Sequence, residues 1–314
     1  MLSQSVIVCR SLLVPICTVL LVCPAGTACG QSPSDSLQAV RERLDSLYIE
    51  EVEDRRSPDK VLHAEPLYID LIRDLGARKG EREWNVGLGL VDNLRYDTYQ
   101  ALVEYEWAPI DRLGLEVELP FLFHLNTNRE AGPAMTTPAN RLDGLKTALQ
   151  WSFYVSERYQ TTLALGYINE LKLADLSRWG TGSVLKGNLF NPFLIMARRW
   201  GTNVHTLLYT GPRLTRYVGA SGGWSRAFDM NTNLHYMIPG TRNFVGFELN
   251  KELTTSGFHM VARPQLRVGI TDRMLVGIVT GIPLKRDEQR LSTFLRLIYE
   301  PSHRHHPLVL PPGR

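Results

Sequence analysis

Glu104, Glu106, Glu116 and Glu118 stand at alternate positions on either side of a short break at 108–112. Between them Tyr99, Ala101, Val103, Tyr105 and Trp107, and then Leu113, Leu115, Val117, Leu119, Phe121, Phe123 and Leu125, take the other parity. This period of two is the mark of paired strands with one greasy face and one acidic face. A wall with lipid on one side and water on the other needs that division. The same parity carried down the chain adds Lys146 and Gln150, then Asp229, Asn231, Asn233 and His235, then Glu248 and Asn250. Arg263, Gln265 and Arg267, and finally Arg290 and Arg296, complete a polar, charged face. Acids gather early in the chain and arginines late. Facing each other across a wet lumen, they would set up a transverse field that orients polar solutes, as rings of charged side chains do in channels. The alternative is that these groups pair and fill the interior as a salt-bridged network.

Covalent chemistry has less to draw on. His124, His205, His235 and His259 could act as bases beside Ser152 or Ser292. No Gly-x-Ser-x-Gly elbow accompanies them, and an isolated strand histidine is more often a lining residue, so no enzyme is expected. The glycines and Lys186 of 180–187 miss the spacing of a phosphate loop. All four cysteines, Cys9, Cys17, Cys23 and Cys29, precede residue 31. Once that segment is removed, neither thiol chemistry nor a cysteine metal site remains. His303, His305 and His306 in the tail have no acidic or cysteine partner and are expected to be solvated. A formal charge of +3, of which Arg10 leaves with the leader, gives no nucleic-acid footprint. No cofactor and no metal are expected.

The elements that would position the charged face follow from the rest of the chain. Residues 1–30 have the form of an export signal: Arg10 is the only charge, 11–22 are apolar, and Ala28-Cys29-Gly30 is a cleavage site. A lipid anchor on Cys29 is the competing reading. Residues 31–82 form a helical periplasmic segment or plug. Leu37, Val40, Leu44 and Leu47 recur at helical spacing. A second helix is expected over 63–76, with Pro66 in its first turn and Gly76 as its stop. Neither helix has a core of its own, so each should dock on a barrel mouth, its lumen or a periplasmic partner.

From Trp84 onward twelve strands are expected, at 83–91, 97–107, 113–125, 143–155, 160–170, 188–199, 203–214, 226–238, 243–252, 258–269, 274–283 and 290–300. Each is near the ~9 to 11 residues of a tilted membrane strand, and an even count returns both ends to one side. Short turns after even-numbered strands alternate with longer loops at 126–142, 171–187 and 215–225. Trp84, Trp107, Trp200, Tyr236 and Tyr299 fall at the short-turn ends, and Tyr99, Phe121, Phe123, Tyr167, Phe190, Phe228 and Phe258 toward the others. These are two interfacial girdles. Pro120, Pro192, Pro212, Pro264 and Pro283 lie inside strands, and Pro264, at mid-strand, demands a bulge or a shifted boundary. The sixth strand alternates poorly around 193–196. Residues 301–314 form a flexible tail.

Leader, helical prelude, twelve amphipathic strands and the final strand 291–301 together resemble a bacterial outer-membrane β-barrel. The fold class expected is therefore an all-β membrane protein, a twelve-stranded antiparallel transmembrane barrel with a short N-terminal helical segment. The run Arg263-Pro264-Gln265-Leu266-Arg267-Val268-Gly269-Ile270-Thr271-Asp272-Arg273 into Val276-Gly277-Ile278 is similar to transporter barrels of the "MetA pathway of phenol degradation" type. That resemblance implies passage of small molecules, hydrophobic ones among them, with outer-membrane lipid and a solute as partners.

Overall fold

The computed structural model describes residues 33–54, 57–69, 75–126, 137–173, 184–219, 222–286 and 289–301. The leader and the tail from 302 onward lie outside the described residues. One helix, α1 (Pro33–Glu53), precedes twelve long strands. These are β1 (Arg82–Asn93), β2 (Tyr96–Ile110), β3 (Leu113–Asn126), β4 (Gly144–Ser156), β5 (Thr161–Leu173) and β6 (Leu185–Trp200). They continue as β7 (Val204–Tyr217), β8 (Gly223–Met237), β9 (Phe244–Thr254), β10 (Gly257–Thr271), β11 (Met274–Pro283) and β12 (Leu291–Tyr299). A two-residue strand, Arg141–Leu142, extends the line of β4 against β3.

Every long strand pairs antiparallel with its sequence neighbours, and β1 closes the ring on β12 from Trp84↔Tyr299 to Asp92↔Leu291. Closure pairs every strand on both sides, which is how strands satisfy their backbone groups in a bilayer. Outside, Leu88, Val103, Trp151, Leu165, Phe247 and Ile278 are exposed, an apolar band fit for lipid. Trp84 stands beside Tyr299, while Trp200 and Tyr236 both oppose Val204, so aromatic side chains line up around the short-turn end. The Tyr105 ring lies 4.5 Å from Trp84 and 5.5 Å from Trp107. No described helix is long and apolar enough to cross a membrane.

Most strands run one to three residues beyond one or both expected ends, while 274–283 stands as expected and the last strand is shorter. The loop expected over 215–225 shrinks to the interval between Tyr217 and Gly223, because Arg216↔Trp224 and Thr215↔Ser225 still pair. Pro264 needs no shift of register. Ala262↔Ile282 and Gln265↔Val279 keep one register, and the ladder lapses between them. Pro192 and Pro212 share a similar lapse: β6 pairs with β7 at Phe190↔Leu214 and again at Leu194↔Thr210, with no pairs between. Two prolines facing each other remove two donors at one place, so one interruption accommodates both.

Two further expectations are corrected. Residues 57–69 and 75–77 contain no helix; 57–69 run as an irregular strand-free segment into the barrel, with Val61, Leu62, Ala64, Leu67 and Ile69 buried. The rest of the expected helix, 70–74, lies outside the described residues. Arg290 is exposed ahead of β12 and pairs with Asp92 at 3.1 Å, because β12 begins one residue later than expected.

The inserted segment explains the poor alternation of β6. Its apolar inward residues are Leu189, Phe193, Ile195 and Ala197, which pack with Ile69 and Leu75 of the segment and with Leu207 and Tyr209 of β7. A second apolar cluster joins Tyr48 of α1, Leu62, Ala64 and Leu67 to Phe244, Leu275, Val279, Phe294 and Ile298. The strand is therefore apolar on both faces, with lipid outside and the chain's own segment inside.

Candidate functional site

The hairpin β2–β3 sets Glu104 opposite Glu118 and Glu106 opposite Glu116, while β1 sets Asn85 opposite Glu104 and Glu83 opposite Glu106. All six side chains face inward and are buried. Like charges directly opposite repel, so such an arrangement requires cations or shared protons. Lys146 of β4 supplies one cation, with Nζ 2.6 Å from Glu118 and 3.4 Å from Glu116. Arg296 of β12 lies 3.4 Å from Glu104. Asn85 Nδ2 donates within 2.7–2.9 Å of carboxylate oxygens of Glu83, Glu104 and Glu106. Among the described residues Glu104, Glu116 and Glu118 bring oxygens within 4.8 Å of one another, the spacing of a metal site. The Lys146 ammonium already occupies that neighbourhood.

His235, Glu248, Arg263 and Arg267 form a second group on β8, β9 and β10. Here the inserted segment fixes the hydrogen-bond roles. The Leu67 backbone N–H donates to Gln265 Oε1 at 2.8 Å, so Gln265 Nε2 is the donor toward Glu248 Oε2 at 3.3 Å and His235 Nε2 at 2.9 Å. His235 therefore accepts through Nε2 and carries its proton on Nδ1. The Ala64 N–H donates to His205 Nδ1 at 3.1 Å, Gly76 N–H to Ser152 Oγ at 2.9 Å, and His63 Nε2 lies 2.9 Å from Thr162 Oγ1. Arg263 stacks over Tyr68 at 3.4 Å, donates from Nε to Asn250 Oδ1 at 2.6 Å, and donates to Ser292 Oγ at 3.1 Å. Arg267 covers the Phe244 ring at 4.6 Å. Asp229 stands apart, half-buried near Arg213 at 3.8 Å.

The two charge groups do not face each other across an open lumen. β12 pairs with β1, so Arg296 reaches the acids from the adjoining wall, and the inserted segment occupies the interior. A cavity of about 20 Å³, room for about one water, remains between Glu65, Pro66 and Leu67 of the segment and Glu83, Glu106, Arg267 and Arg296 of the wall. No serine–histidine dyad forms at the expected positions: Ser152 is engaged by Gly76, Ser292 by Arg263, His205 by Ala64 and His235 by Gln265.

Sequence reasoning missed Asn85, the wall residue Ser152 as a partner of the segment, Arg199 as the partner of Glu53 at the end of α1, and the segment's own Leu67 and Tyr68. The available signal was the inward apolar set of β6, which nothing in the wall could cover.

No curated protein matches the chain. Among solved structures it is similar to an outer membrane channel from Pseudomonas putida F1, at 11% identity with a TM-score of 0.59, over 74% of this chain and 99% of that chain. It is also similar to the NanC porin, at 7% identity and a TM-score of 0.48, over 69% of this chain and 98% of that one. The KdgM porin aligns at 12% identity and a TM-score of 0.44, over 69% and 98%. The first likeness is one of fold: a closed antiparallel barrel. A sequence-family model matches residues 59–300, and its name spells residues 63–70 of this chain, of which 63–69 lie in the lumenal segment. With most of the barrel and the inserted segment inside that match, the chain belongs to the HAEPLYID-like family.

Proposed function

We propose that the protein is a channel of the bacterial outer membrane that passes a small solute, and that the lumenal stretches 57–69 and 75–77 are its closing segment. One observation carries this reading: a barrel with an apolar exterior has its polar interior filled by its own chain, held through side chains that grip backbone amides. Grips of that kind, from His205, Gln265 and Ser152, can be exchanged for a solute or water when the segment moves. The Pseudomonas putida outer membrane channel shares the fold. The likeness of 263–278 to phenol-degradation transporter barrels supports a small solute, hydrophobic ones included. Glu104, Glu106, Glu116, Glu118, Lys146, Glu248, Arg263, Arg267 and Arg296 would line the opened path, with Asp229 nearer its long-loop mouth. The short-turn mouth would be periplasmic, with α1 lying beside it.

A permanently closed scaffold barrel is the second reading, favoured by how completely the segment fills the interior. Planar-bilayer recording separates the two. The full chain is expected to conduct rarely and a chain lacking 31–82 to conduct steadily; silence from both would contradict the channel.

A further inference from the structure

The lumenal segment enters and leaves by the same mouth, and one residue touches both limbs. Glu53 is the last residue of α1. Its Oε1 accepts the backbone N–H of Leu62, on the inbound limb, at 2.9 Å. The same oxygen pairs at 2.6 Å with Arg199 of β6, whose side chain is 4% exposed. Its backbone carbonyl accepts from Arg78, just past the outbound limb, at 2.7 Å. That guanidinium also pairs with Asp54 at 2.9 Å and reaches the Pro58 carbonyl at 3.5 Å. A helix end usually leaves its last carbonyls to water. Here one is spent on joining the helix to the segment's exit.

One further contact holds α1 to the wall away from the segment, and another shares the apolar cluster of Leu62, Ala64 and Leu67. Asp45 accepts the Gly240 N–H of the β8–β9 turn at 2.6 Å, and Tyr48 is buried in the second apolar cluster. Helix docking and segment clamping are thus separable, and Glu53 belongs to the second. Burial raises the Glu53 carboxyl above the ordinary range, while the Leu62 amide and Arg199 pull it back.

We propose that the Glu53 carboxylate is the latch of the closing segment, fastening its inbound limb at Leu62 to the wall at Arg199, so that its release frees residues 57–69 while the barrel stays intact. This rests on the channel reading. The latch fits the geometry because an ion pair at a mouth can be broken without disturbing the strand ladder behind it.

The test uses the full chain with Glu53→Gln, which keeps the size and the Leu62 acceptor, and Glu53→Ala, which removes the side-chain grips on Leu62 and Arg199 and leaves the carbonyl bond to Arg78. Backbone hydrogen exchange at Ala64 and Leu67 is read beside opening frequency in bilayers, with Ile195 in β6 as the internal standard for an intact barrel. Exchange at Ala64 and Leu67 is expected to rise roughly tenfold or more in Glu53→Ala and by less in Glu53→Gln, with Ile195 unchanged. Opening frequency should rise in step. If α1 amides exchange faster while Ala64 and Leu67 stay protected in both variants, Glu53 only anchors the helix and the latch is overturned. If Ala64 and Leu67 lose protection but no variant conducts, the latch stands and the channel reading falls.

Discussion

Replacing Lys146 with methionine is expected to lower the unfolding free energy of the barrel by about 3–5 kcal/mol. The side chain is 8% exposed, and its ammonium lies between Glu118 and Glu116, whose side chains are 5% and 1% exposed. Because little water reaches these groups, solvent screening cannot stand in for the missing charge. The cross-strand pairs Glu104↔Glu118 and Glu106↔Glu116 would then face each other with one buried cation fewer. Methionine keeps the length and apolar stem of lysine, which isolates the charge from the packing. Adding Glu118→Gln should recover a large part of the loss, since it removes the carboxylate nearest Nζ. Urea unfolding in detergent micelles, followed by tryptophan fluorescence, measures both. A loss under about 1 kcal/mol would mean that the cluster is neutralised without Lys146.

Gly211→Ala should prevent assembly of a heat-resistant barrel. An added Cβ would stand 2.1 Å from the Pro192 carbonyl oxygen and 2.9 Å from Phe193 Cα. Both are backbone atoms of β6, so no side chain can turn aside to make room. The clash falls inside the ladder lapse shared by Pro192 and Pro212, which Asn191 bridges by donating from Nδ2 to the Pro212 carbonyl at 3.0 Å, so parting the strands would break that bond too. Phe193, stacked on Tyr209 at 4.8 Å and packed with Ile69 and Leu75, would be displaced as well. Gly223→Ala is the control. Nothing lies within 4 Å of its added Cβ. A Gly211→Ala protein that still migrates as a compact species before boiling would refute the close approach of β6 and β7.

The barrel was legible because lipid imposes one rule on every strand. Tyr99 to Trp107 and Leu113 to Leu125 must alternate, and the inward parity of Glu104, Glu106, Glu116 and Glu118 follows from the same count. The interior was legible only as polarity. Which charged residues meet is decided by ring closure, which brings Arg296 of β12 to Glu104 of β2 across 192 positions. The helix expected over 63–76 was misread within 63–69 for a local reason. Leu67, Leu71 and Leu75 fall at helical spacing after Pro66, but no short-range pattern records that Ala64 and Leu67 give their amides to His205 and Gln265, 141 and 198 positions away. Tertiary partners outweighed helical propensity. The irregularity at Phe193 and Ile195 was the trace of this in the sequence, a strand apolar toward an interior that would otherwise be wet.

The central claim, a channel closed by its own segment, is tested most directly by tying that segment to the wall. An added Cβ at Gly277 would stand 3.1 Å from Leu67 Cγ, the position a cysteine sulfur would take. A disulfide holds each sulfur about 3 Å from the partner's Cβ, so Leu67→Cys with Gly277→Cys should cross-link without moving the backbone. The native cysteines all lie within 1–30, so a chain produced from residue 31 carries the engineered pair alone. The account predicts that this double variant in bilayers is silent when oxidised and conducts once the bond is reduced. Equal conductance in the two states, or silence in both, would contradict it.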